Sequence, residues 1–234
     1  NPMPTILRTQ RASMVAIAAA VASAVVLSAC GGSGAPVDRA AADPTASGCV
    51  GARTATSQEW VRPLEPAPSP DLPVTVTDVT GQSITISDTS RILALDTYGT
   101  LGTTVYALGL GDRLVGRDVS TGVPALVDLP VVTANGHELQ AEAILDLDPS
   151  VILTDYSIGP LEVQMQLKDA GIPVVILDDH RARDTIGEQI RAVAHALGVD
   201  AAGDAVASRV EREISAAEQQ VSEMANASPH KGMR

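Results

Sequence analysis

One histidine stands where an imidazole could act on a ligand. His137 follows Asn135-Gly136 in the run LPVVTANGHELQAEAILDLDPSVILTD, residues 129–155. Asn-Gly marks a turn, which puts the ring at a loop tip and not inside an element. Loops held between rigid elements are where binding side chains usually sit, and a neutral imidazole is a good metal ligand. The bland alternative is a solvated loop histidine, which spacing alone favours.

The other candidates are weaker. Asp178-Asp179-His180 follows a strand end, but adjacent residues point apart and no further ligand pattern follows. A helix N-terminal cap region fits it better. His195 reads as a helix-face residue and His230 as part of a tail. Tyr98 and Tyr156 lie after expected strand ends, where open α/β sheets place their ligands; lining a cleft and packing are equally good accounts of both. Glu142 sits in the first turn of an expected helix, where the dipole favours an acid. Gly109-Leu110-Gly111 leaves a helix to enter a strand, the reverse of what a dinucleotide fingerprint requires. The chain offers no Cys-x-x-Cys and no Ser/His/Asp or Cys/His arrangement.

Stepping outward from His137, the pattern predicts the elements that must position these side chains. VTVTDVTGQSITIS alternates about Thr80-Gly81 and predicts a β-hairpin. RILAL (91–95), residues 114–116, VILT (151–154) and PVVIL (173–177) predict short buried strands. Helices are expected over 99–110, in a short segment before residue 151, over 160–170 closed by Gly171, and over 185–197 closed by Gly198. Apolar strands alternating with helices point to an α/β fold with a parallel sheet covered on both faces. A longer helix is expected from Ala201 to about Met224, with Val206, Val210, Ile214, Ala217, Val221 and Met224 on one stripe. Its length suits a cap on the α/β unit or a bridge to another.

Composition narrows the function. Of 234 residues 45% are hydrophobic, enough for a core, but only 2% are aromatic and none is Phe, so Val, Ile, Leu and Ala must build it. A net charge of −12 argues against nucleic acid, which needs a basic face. Arg8 and Arg11 precede an apolar run, Met14 to Leu27, too short for a comfortable membrane span. The box Leu27-Ser28-Ala29-Cys30 that follows resembles a bacterial lipoprotein signal, with residues 1–29 removed and Cys30 lipidated; an ordinary secretory signal is the alternative. Two acyl chains on Cys30 would anchor the protein stably. Residues 30–72, rich in Gly, Ala, Ser, Pro and Thr, read as a flexible linker. Cys49 is left without an assigned role.

The ordered stretch resembles the N-terminal lobe and connecting helix of class III substrate-binding proteins of ABC importers. RILALDTYGTLGTTVYALGLGDRLVGRD (91–118), AEAILDLDPSVILTD (141–155) and LKDAGIPVVILDD (167–179) carry the likeness. NGHELQAEAIL is most similar to the haemin-binding lipoproteins of the HmuT type. The resemblance implies an N-terminal α/β lobe over 73–199, an inter-lobe helix over 200–227, and the start of an absent C-terminal lobe at 228–234. It implies a monomeric, non-enzymatic haem receptor without a catalytic cofactor, lipid-anchored on the outer face of the bacterial cytoplasmic membrane. His137 would supply one axial bond to haem iron, with the second ligand on the other lobe. Glu142 would dock on the ABC permease. The same fold binding a ferric siderophore or cobalamin is the nearest rival, and an α/β enzyme with its catalytic residues elsewhere is a more distant one.

Overall fold

The computed structural model describes residues 61–227. The signal segment, Cys30, Cys49, His230 and the expected lobe start at 228–234 lie outside the described residues. The chain forms β1 (Val74–Thr77), β2 (Ser83–Ile86), β3 (Ile92–Leu95) and α1 (Thr100–Val105), which runs into a wider turn over Tyr106–Leu110. Then come β4 (Thr133–Ala134), β5 (Glu138–Leu139), α2 (Ala141–Asp146), β6 (Val151–Thr154) and α3 (Leu161–Asp169). β7 (Val174–Ile176), α4 (Ile186–Ala196) and α5 (Asp200–Ala227) complete it. Among the described residues no helix is long and apolar enough to cross a membrane.

The centre is a parallel sheet in the order β3-β6-β7, with Leu93 opposite Ile152 and Leu153 opposite Val175. Every residue of these strands is buried, because helices cover both faces of a parallel sheet. Strand side chains alternate between faces, and the two cores divide accordingly. Ile92, Ala94, Val151, Leu153 and Val175 pack with α1, α4 and the start of α5. Leu93, Leu95, Ile152 and Val174 pack with Ile144 of α2 and Leu167 of α3. The helix ends expected at Gly171 and Gly198 are present, both glycines having positive φ.

Two expectations shift. Residues 114–116 do not form a strand: Leu114 makes a single bridge to Ile92, after which Arg117 turns away to pair with Val131. The amide of Arg117 donates to the Pro130 carbonyl at 2.9 Å, and that of Val132 to the Arg117 carbonyl at 3.0 Å. Residues 61–72, read from composition as the end of a flexible linker, lie on the lobe. The Leu64 amide donates to Ala107 and the Asp71 amide to Gly198, while Val61 and Leu64 pack on the core. Extended proline-rich chain has few N–H groups to satisfy, so it can lie on a surface without joining a sheet. The apolar stripe of α5 is covered only at its start: Val206 is buried, whereas Val221 and Met224 are 60% and 65% exposed.

The hairpin β1–β2 is fixed by its turn. Asp78 accepts hydrogen bonds from the amides of Thr80 (2.9 Å) and Gln82 (3.1 Å) and lies 3.2 Å from Lys168 of α3. Burial alone would raise its pKa, but hydrogen bonds from the Thr80 hydroxyl, the Gln82 amide and Lys168, with the Lys168 charge, lower it overall. A depressed folded pKa gives stability that is present above the unfolded value of about 4 and lost as pH falls through the folded one. Asp78→Ala is therefore expected to lower the unfolding free energy at pH 7 and flatten its fall below pH about 4. Urea unfolding at a series of pH values measures both; an unchanged acid limb would remove this carboxylate from the account.

Candidate functional site

At the carboxyl edge of the sheet each of two neighbouring strands runs straight into an aspartate. Asp96 follows β3 and Asp155 follows β6, and both are fully buried, as is Asp118 beside them. Each folds its own loop. Asp96 accepts from the amides of Leu101 (2.9 Å) and Tyr98 (3.2 Å), which starts α1. Asp155 accepts from the Ser157 amide at 2.8 Å, and Asp118 from those of Ser120 (2.8 Å), Thr121 (2.7 Å) and Asp96 (3.2 Å). Side-chain oxygens bonding the backbone two or three residues on make Asx turns.

Buried carboxylates need compensation, and Arg181 supplies it from the loop after β7. One of its terminal nitrogens bridges Asp96 (2.9 Å) and Asp155, and its Nε donates to the Thr100 hydroxyl at 2.9 Å. The guanidinium carbon lies 5.0 Å from the centroid of the Tyr98 ring. Among the described residues no cation pairs with Asp118: burial pushes its pKa up, the amide hydrogen bonds of Asp96 and Thr121 oppose, and the Asp96 charge adds to the rise.

His137 occupies the tip of the hairpin β4–β5. Ala134 pairs with Glu138, leaving Asn135, Gly136 and His137 as the loop, with φ of 47° and 94° at Asn135 and Gly136. The ring is exposed. The hairpin is stitched to the loop after β6 by the Leu139 amide, which donates to the Gly159 carbonyl at 2.7 Å. That same loop carries Tyr156, and its Ser157 bonds Thr97 through two contacts, one being the Thr97 amide to the Ser157 hydroxyl at 3.1 Å. The loops bearing His137, Tyr156 and Tyr98 are thus joined in series along one edge. Tyr98 and Tyr156 are 61% and 50% exposed.

The remaining candidates fall elsewhere. His180 leads into α4: its amide donates to Asp178 at 2.8 Å and its carbonyl accepts from Thr185 and Gln189. His195 is 3.0 Å from Asp200 on an exposed face. Glu142 is exposed in the first turn of α2. Among the described residues no three of His, Cys, Asp and Glu are grouped to hold a metal ion. An apolar groove of about 700 Å³ runs between α1, α4 and α5, past Leu101, Ala107, Ile190 and Val210, and reaches Tyr98 and Arg181 at the carboxyl edge; His137 is not among its lining residues.

Residues 97–230 match the sequence pattern of a family described as periplasmic binding protein. A curated relative, the uncharacterized ABC transporter substrate-binding lipoprotein YvrC of Bacillus subtilis (strain 168), is 30% identical over 135 residues, 56% of this chain and 42% of YvrC. The crystal structure of the heme binding protein HmuT is 43% identical, with a TM-score of 0.70 over 72% of this chain and 55% of HmuT. The periplasmic heme-binding protein RhuT from Roseiflexus sp. RS-1 is 36% identical, with a TM-score of 0.51 over 56% of this chain and 50% of RhuT. The chain spans about half the length of these relatives.

The buried ion pairs set a clear expectation. Arg181→Ala leaves two buried carboxylates without a cation and should cost roughly 3–5 kcal/mol. Arg183→Ala, which removes a largely exposed pair with Glu218, should cost about 1 kcal/mol or less. Chemical denaturation of the two variants side by side checks this; equal losses would show that the Arg181 bridge does not hold the edge.

Proposed function

The chain belongs to the periplasmic binding protein family, and on that premise we propose that it is the N-terminal lobe of a haem receptor serving an ABC importer. The observation that carries the reading is the exposed imidazole of His137, presented at the tip of a hairpin stitched to the carboxyl edge of the sheet. Open α/β sheets bind ligands at that edge, and a neutral imidazole is a natural axial ligand for haem iron. The likeness to HmuT and RhuT, both described as heme-binding, supports haem over other cargo.

In this reading residues 73–199 are the ligand-binding lobe and residues 200–227 the helix that carries the chain towards a second lobe. The uncovered stripe at Val221 and Met224 supports that role, since apolar positions on a helix favour a partner face. A stiff connecting helix keeps closure small. The second axial ligand comes from the partner lobe, while Tyr98 and Tyr156 line the cleft. Glu142, six positions from the Asn-Gly turn on an exposed helical face, docks on the permease. Residues 1–29 are a lipoprotein signal and Cys30 carries the lipid that holds the monomeric receptor to the outer face of the membrane; the lipoprotein description of YvrC supports this. The receptor binds and delivers its cargo and performs no chemistry on it.

Haemin titration followed at the Soret band tests the assignment. His137→Ala should weaken haemin binding by at least about tenfold, the loss of one coordinate bond, and move the Soret maximum. Glu142→Ala should leave the haemin titration unchanged and weaken only association with the permease. Identical haemin spectra and affinity in the His137 variant would reject that residue as the ligand.

A further inference from the structure

We propose that Tyr98 is a stacking platform that selects a planar, conjugated tetrapyrrole; the inference rests on the haem-receptor reading and extends it to a residue other than the iron ligand. The chain has three Tyr, one Trp and no Phe. Tyr106 is half-buried against the core, whereas Tyr98 and Tyr156 stand open in the loops directly after β3 and β6. A lone exposed aromatic is ordinary. Tyr98 differs in that its backbone is fixed on both sides and a guanidinium lies over its ring.

Its amide is fixed by Asp96 at 3.2 Å. On one side Thr97 is hydrogen-bonded to Ser157 through its amide and its hydroxyl. On the other, Gly99 has a φ of 69° and lies so near the Ser120 backbone that a Cβ there would stand 2.5 Å from it. The guanidinium of Arg181 lies over the ring, 5.0 Å from its centroid, and is itself immobilised by Asp96 and Asp155. A cation over an aromatic ring is attracted by its quadrupole. One ring face is therefore occupied, and 61% of the residue remains accessible.

A fixed backbone and an anchored cation on one face lower the ordering cost that a ligand stacking on the ring's other face must meet. The chemistry it suits is a flat π-system in offset-stacked contact, with centroids about 4.5–7 Å apart. A porphyrin presents that surface. A corrin does not, because its ring is largely saturated at the periphery and bears groups projecting from both faces. A hexadentate ferric siderophore, wrapped around its iron, has no extended flat face. Tyr98 would thus discriminate by ligand shape, independently of any bond to iron.

That independence gives the test. Haemin and iron-free protoporphyrin IX are titrated into the protein and its variants, by Soret absorbance and by fluorescence, with cobalamin as the shape control and thermal melts to verify folding. Tyr98→Ala should weaken haemin and protoporphyrin IX alike, by about three- to tenfold, the worth of one aromatic pair. Tyr98→Phe, which keeps the ring, should stay within about twofold of the unaltered protein. His137→Ala should weaken haemin only. Unchanged affinity for both tetrapyrroles in Tyr98→Ala would overturn the platform while leaving the haem reading intact. A Phe variant as weak as the Ala variant would overturn it too, by assigning the effect to the hydroxyl. Failure of the unaltered protein to bind either tetrapyrrole, or tighter binding of cobalamin, would overturn both readings.

Discussion

Charge compensation at the carboxyl edge is the constraint on which the rest of the lobe depends. Asp96 and Asp155 are fully buried where two adjacent parallel strands end, and a single guanidinium from the loop after the third strand bridges them. Each carboxylate in turn accepts hydrogen bonds from backbone amides that shape its own loop. The ion pairs thus tie all three strand ends together in one network. Buried pairs of this kind are weak evidence for stability as such, because desolvation consumes much of the attraction. Their effect is to leave the edge one arrangement in which Asp96 and Asp155 share a single cation.

That arrangement explains why exposed side chains can be held still. His137 and Tyr156 are open to solvent, yet the loop that bears each is hydrogen-bonded to a neighbouring one, through Leu139 to Gly159 and through Ser157 to Thr97. Binding groups placed on loops need this kind of support from rigid elements. Asp118 completes the picture as the member of the cluster that no cation meets among the described residues. Its raised pKa follows from burial first and from the charge of Asp96, and three backbone amides with the Thr121 hydroxyl keep it in place.

Much of the fold was legible because it is written in local periodicity. ILAL and VVI are all-apolar, VILT is apolar but for Thr154, and all are short, the mark of strands covered on both faces, and the hairpin about Thr80-Gly81 announces itself by alternation. His137 and its turn were equally legible, since Asn-Gly carries its own backbone geometry. The buried cluster was not. Arg181 meets Asp96 across 85 positions and Asp155 across 26, and no spacing rule links residues so far apart. A signal did exist in the aspartate that follows directly on both β3 and β6, since an acid abutting a buried strand must be compensated by something. Arg181 itself looks like any loop arginine. Residues 114–116 misled for a related reason: their apolar character fits a strand, but pairing with residues 130–132 draws the chain off the sheet after one bridge.

The helix α5 is uniform in sequence pattern and in geometry but not in stability. Its 28 residues extend about 42 Å at 1.5 Å per residue. Ala202, Gly203, Val206 and Ala207 are buried against the lobe, whereas beyond Val210 only Ile214 and Glu218 are even partly covered. An isolated helix shorter than about 12–15 residues is marginal in water, so the outer turns rest on propagation from the packed ones. Backbone amides near Val206 are then released only when the lobe itself opens, and those near Val221 by fraying from the end. Hydrogen exchange should therefore quicken steadily along the helix, and whatever covers the Val221–Met224 stripe would slow it there first.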